Sequence, residues 1–171
     1  MKKLTFTFLK KQIQIIEVKG NASNDVHFLD NLRLRYPKLQ LQCISSKFIL
    51  NPYHAKKIIS LSLASEKNSI LLSKRLETDI MMRFALTSQI SNAILNVGIK
   101  PKHDFFLIGI GNEKTLDKLY QEQKSNTIDL FSYDFQPFLK KYFKIKKIHI
   151  DSISSRTPFD DILIEKASIL F

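Results

Sequence analysis

Apolar and polar positions alternate at two different periods along this chain, and the switches between them outline a fold. Leu4 to Leu9 and Ile13 to Val18 read as strands, with the apolar pair Ile16 and Val18 adding an irregularity to the second. Gly20 to Asn24 is a turn, and Ser23 or Asn24 is expected to cap a helix reaching Tyr36, with Val26, Leu29 and Arg33 along one side. Pro37 ends that helix. Leu39, Leu41 and Cys43 then alternate with Gln40 and Gln42, the period of a strand. Asn51-Pro52 starts the next helix, because asparagine caps and proline tolerates the first helical position. Its apolar face is Ala55, Ile58, Ile59, Ser62 and Leu63.

The stretch from Ser69 to Ile99 carries two more helical patterns. Leu76, Ile80 and Phe84 share a face in the first. Thr87 or Ser88 is expected to cap the second, with Ile90, Ala93, Ile94 and Val97 inward, and Gly98 is expected to close it in a left-handed conformation. The unbroken apolar run Phe105 to Ile110 predicts a central strand buried on both faces. Asn112 is read as the cap of a helix with Leu116, Leu119 and Tyr120 inward, and Asp134 as the cap of a short one through Phe135, Phe138, Leu139 and Tyr142. Thr157-Pro158 opens a terminal helix whose broad face holds Phe159, Ile162, Leu163, Ala167 and Leu170, while Ile164, Ile169 and Phe171 extend its apolar character to other sides. The pattern predicts an α/β (α+β) fold over residues 1–171, a single domain with a central mixed β-sheet flanked by helices.

Composition changes this picture in two ways. A hydrophobic content of 44%, with 13 Phe, fills a core without staples, and the single Cys43 rules out an intramolecular disulfide and a thiolate-rich zinc site. No uncharged stretch approaches the roughly 18 residues of a membrane span, and a cytoplasmic location is expected. The formal charge of +11, from 27 Lys+Arg against 16 Asp+Glu, favours polyanionic partners.

Catalytic chemistry is not evident. Gly109-x-Gly111 lacks the third glycine of a dinucleotide fingerprint and reads as a tight strand-to-helix turn. His27, His54, His103 and His149 are scattered without ligand spacing. Glu77 and Asp79 point about 200° apart on a helix and form no dyad. No catalytic residue, metal site or cofactor is expected. Two basic features remain. One comprises Lys56, Lys57, Lys67, Lys74, Arg75 and Arg83. The other is Lys140-Lys141-Tyr142-Phe143-Lys144-Ile145-Lys146-Lys147, which suits single-stranded nucleic acid or, alternatively, is an amphipathic edge with solvated lysines.

The run S-K-R-L-E-T-D-I-M-M-R-F-A-L-T-S-Q-I-S-N-A-I, closed by V-G-I-K and followed by F-F-L-I-G-I, resembles the kinase-binding subunit of the KEOPS (EKC) complex, the PRPK-binding (TPRKB-like) protein family. The terminal D-D-I-L-I-E-K-A-S-I-L is similar to that family's last helix. The resemblance covers roughly Asn51 to Phe171 and departs from the family pattern at Asp79, where glutamate is more usual. It implies a non-catalytic accessory subunit that binds the N-lobe of the complex's small atypical protein kinase. Through that kinase it would join the other KEOPS subunits that make threonylcarbamoyladenosine in tRNA. Archaeal-type members also hold the 3′ CCA end of tRNA. On this resemblance the kinase-binding residues are expected to be Phe159, Ile162, Leu163, Lys166 and Leu170, and the RNA-binding residues Lys56, Lys67, Lys74, Arg75 and Arg83. The alternative from charge alone is a stand-alone basic RNA-binding module without a kinase partner.

Overall fold

A computed structural model describes residues 1–170, apart from the side chain of Val26; the expected inward place of Val26 and the apolar contribution of Phe171 lie outside the described residues. Five strands form one sheet: β1 (Leu4–Phe8), β2 (Lys11–Val18), β3 (Gln40–Ser45), β4 (Phe105–Gly111) and β5 (Thr127–Ile128). The order is β1-β2-β4-β3, with β5 against the end of β2. Every pairing is antiparallel, which corrects the expected mixed sheet. The physical reason is that β4 enters between β2 and β3 running opposite to both. Burial on two faces, often the mark of a parallel strand, arises here because helices cover both sides of an antiparallel sheet.

Helices α1 (Val26–Arg35) and α5 (Glu113–Gln123) cover one face, over Ile16, Val18, Leu41, Cys43, Phe105 and Leu107. On the other face lie α2 (Pro52–Lys67), α3 (Leu76–Phe84), α4 (Ile90–Val97), α6 (Gln136–Tyr142), α7 (Lys147–Asp151) and α8 (Pro158–Ser168). They enclose the larger core around Ile13, Ile15, Ile44, Phe106, Ile108 and Ile110. Gly109 sits inside β4, paired with Gln14 and Leu41, and a Cβ there would meet Leu116 Cδ2 at 2.8 Å. Its role is to let α5 approach the sheet, not to open a phosphate loop.

The Asn51 cap forms as expected, its side chain accepting the His54 amide, and all five predicted inward residues of α2 are buried. Local details differ elsewhere. Asp25, not Ser23 or Asn24, caps α1. Gln42 is buried, donating to Glu77 O at 2.9 Å and accepting the Cys43 amide at 2.9 Å, so the polar positions of β3 are satisfied inside the protein. In α4 Ala93 and Val97 are buried, but Ile90 and Ile94 face outward. Gly98 keeps a negative φ of -62, so α4 ends without the left-handed closure.

Candidate functional site

The terminal helix is fastened to α2 and α3 at both ends. At its start Asn51, the cap of α2, donates to Asp160 Oδ1 at 2.7 Å. At its end Arg83 of α3 donates to the Ala167 carbonyl at 2.7 Å, to Ser65 Oγ of α2 at 3.0 Å and to Asp79 Oδ2 at 2.7 Å. Asp79 in turn accepts the Leu72 amide at 2.7 Å and so ties down the loop that leads into α3. Both members of the ion pair are 0% exposed. A guanidinium is suited to this place because its planar fork serves three acceptors at once, one of them a carbonyl in the last turn of a helix. Arg83 is therefore a buried clamp, which corrects its expected place among the RNA contacts. A helix whose cation has apolar neighbours on every side, as Ile80, Met81, Met82 and Phe84 surround Arg83, is the sequence signal that could have shown it.

The same clamp decides which part of α8 meets solvent. Phe159, Ile162 and Leu163, expected among the kinase contacts, are buried in the main core, and of the three Ile162 also lines a groove at the end of α8. Lys166 is exposed and Leu170 half-buried. Between them Ile169 is 67% exposed. Grooves of about 340 Å³ lie on either side of the Lys166–Ile169 ridge. One is walled by His149, Ser152, Ile153, Ile162 and Glu165, the other by Leu86, Phe143 and Leu170. Leu86, in the turn between α3 and α4, is held at a φ of +50. Ile169 on the ridge and Ile90, Ile94 and Leu95 on α4 are large apolar side chains that the fold leaves uncovered, while the groove on the α7 side is walled largely by polar groups.

Of the other expected RNA contacts, Lys56, Lys67, Lys74 and Arg75 are all exposed. Lys56 Nζ lies 5.8 Å from the ring centre of Phe6 on β1. Lys67 lines a cleft of about 420 Å³ with Leu9, Lys10, Lys11, Leu63 and Glu66. Leu9 and Lys10 form the two-residue turn of the β1–β2 hairpin, with φ of 47 and 64. Asn-Gly usually fills such a turn because both positions need positive φ. Here an exposed leucine and a lysine are held there instead. Lys11 is neutralised by Glu66 at 2.6 Å, while Lys10 and Lys67 are in no ion pair among the described residues. Phe6, Leu9 and Lys10 were not singled out from the sequence, because only the hairpin brings them beside α2.

Buried titratable groups serve packing. His54 is buried against Phe84, with Nδ1 accepting the Leu50 amide at 3.2 Å, and burial pushes its pKa down to about 3. Burial also raises the Cys43 thiol and the carboxyls of Glu17 and Asp160 above their ordinary values. Among the described residues no group of three or more His, Cys, Asp or Glu is arranged to hold a metal ion. Among the described residues no helix is long and apolar enough to cross a membrane.

A family model described as kinase binding protein CGI-121 matches residues 8–169. No individual curated protein matches the chain.

Proposed function

The chain belongs to the CGI-121 family of kinase binding proteins, and from that premise we propose that it is the non-catalytic KEOPS subunit that docks the complex's atypical protein kinase and helps recruit tRNA for threonylcarbamoyladenosine modification. The observation that carries the kinase part is the exposed Ile169 at the C-terminal end of α8. The helix is clamped at both ends, yet Ile169 is left in water between two grooves beside Lys166 and Leu170. Surface of this kind, rimmed by polar groups, marks a partner interface. The docking residues are then Lys166, Ile169 and Leu170, with Leu86 and Phe143 beside them. The N-lobe of the kinase is the partner that the sequence resemblance implies.

The RNA part rests on Lys10, Lys56, Lys67, Lys74 and Arg75. Lysines beside the apolar Phe6 and Leu9 provide phosphate contacts next to a surface on which bases can stack, which suits a single-stranded 3′ CCA end. The chain has the charge for this role at +11.

Calorimetry with the purified kinase tests the docking surface. Ile169→Glu should abolish micromolar binding while leaving the thermal midpoint near wild type, because the side chain packs on little. Wild-type affinity in that variant would remove α8 from the interface. Gel shifts at fixed salt, with intact tRNA and tRNA lacking CCA, test recruitment. Equal binding of the two would refute capture of the 3′ end, and unchanged binding by Lys56→Glu with Lys67→Glu would refute this surface.

A further inference from the structure

The second basic segment is absorbed by neither surface. Between Asp134 and Asp151 the chain carries five lysines and no carboxylate. Most of its apolar members are pinned, although Ile148 is 71% exposed. Leu139 and Ile145 are buried, and Phe48 meets Phe138, Tyr142 and Phe143 edge to face at 5.5, 5.0 and 6.2 Å. Lys140 lies over the ring of Phe159 at 5.6 Å. Lys141, Lys144, Lys146 and Lys147 are left exposed, and none of them is in an ion pair among the described residues.

The backbone adds an independent observation. α6 ends in a Schellman closure, with the Ile145 amide donating to Lys140 O at 2.9 Å and the Lys144 amide to Lys141 O at 3.3 Å. Lys144 holds the left-handed position of that closure, with a φ of 54. Glycine is the usual residue there, and a side chain costs on the order of 1 kcal/mol. The chain thus keeps a cation at a position where glycine would make the fold more stable. Among the described residues seven non-glycine positions hold a positive φ, so this one matters because it falls among unpaired lysines and not for its conformation alone.

We propose that Lys141, Lys144, Lys146 and Lys147 form a second phosphate-contact surface for structured RNA, separate from the Lys56–Lys67 surface and indifferent to the 3′ end. The cations are spaced from the end of α6 to the start of α7, and the half-exposed Tyr142 stands among them. Lysines so placed track a sugar-phosphate backbone without reading sequence. The surface fixes how the body of the RNA lies on the protein, while the hairpin side takes its end. The inference rests on the RNA part of the proposed function.

The test uses the full chain and tRNA lacking CCA, with affinity measured across a range of KCl concentrations. Lys144→Gly should raise the thermal midpoint and yet flatten the salt dependence by roughly 0.7–0.9 in log–log slope, the value of one lost phosphate contact. Lys141→Gln with Lys146→Gln and Lys147→Gln should flatten it by roughly 2–3. A lysine of purely structural importance cannot give higher stability together with weaker RNA binding. Wild-type slopes in both variants would overturn the proposal while leaving end capture standing. Failure of the wild type to bind either tRNA would overturn both. Loss of binding to phosphatidylserine vesicles in the variants, with tRNA binding unchanged, would reassign the surface to lipid and overturn it as well.

Discussion

Arg83→Met is the substitution that most directly tests the clamp on the terminal helix. It removes the bonds to Asp79, Ser65 and the Ala167 carbonyl at once, while methionine replaces much of the aliphatic stem. Asp79 is then left fully buried, with only the Leu72 amide to compensate its charge. Breaking a buried pair by removing one partner costs about 3–5 kcal/mol. With a urea slope of about 2–3 kcal/mol/M for a chain of this length, the unfolding midpoint should fall by about 1–2.5 M. Lys67→Met, at an exposed position, should stay within about 0.5 kcal/mol of wild type. Adding Asp79→Leu to Arg83→Met removes the stranded carboxylate and should restore part of the loss, giving a coupling of at least about 1 kcal/mol. Restoration stays incomplete because the Leu72 amide and the Ala167 carbonyl still lack partners. Amide exchange should place the first loss of protection in α8. A midpoint within about 0.3 M of wild type for Arg83→Met, below 1 kcal/mol at these slopes, would refute the clamp. So would a double variant as unstable as the sum of its parts.

Two buried groups predict opposite pH responses. His54 is held below its unfolded value of 6.5 by burial, so the stability it contributes is present above that pH and is lost as pH falls toward about 3, at up to about 1.4 kcal/mol per unit. Its ring resonances should stay in the neutral form down to about pH 4 in NMR; titration near 6 would show that the ring is open to water. Glu17 is raised above its ordinary 4.5, first by burial and further by the charge of Asp104, against the opposing Ser46 side chain and Phe131 amide. The folded chain therefore binds that proton more tightly, and the associated stability is lost as pH rises through 4.5 and beyond. Glu17→Gln keeps an acceptor for the Phe131 amide, so denaturation midpoints should favour the variant increasingly from pH 4 to pH 7; a gap that closes over this range would reverse the assignment.

The sequence was most legible where local chemistry and tertiary packing agree. Asn51-Pro52 specifies a helix start by itself, and the α2 face from Ala55 to Leu63 is wide enough to have one way in. It was least legible in short helices, where several faces are apolar and the neighbours choose. α4 has eight residues, and Ala93 with Val97 competes with Ile90 with Ile94 for the inward side. The smaller pair is buried because α4 packs closely, leaving the larger pair outside. Arg83 was misread for a related reason. An Asp-x-x-x-Arg spacing has the form of a surface ion pair, and only α8, arriving 84 residues later, takes it out of water.

These two failures have one cause, and it bears on how a partner could read the protein. α8 spends its strongest apolar residues, Phe159, Ile162, Leu163 and Ala167, on the core. A kinase that docks on this helix therefore meets Lys166 in its last turn and Ile169 and Leu170 just beyond it, beside Leu86. That turn is the part positioned by Arg83, through a single carbonyl at Ala167. Loosening the clamp should then weaken kinase binding even though Arg83 never touches the partner. Ile169→Glu should weaken it without loosening anything. Measuring protection of α8 and kinase affinity on both variants separates the residue that makes the surface from the residue that holds it in place.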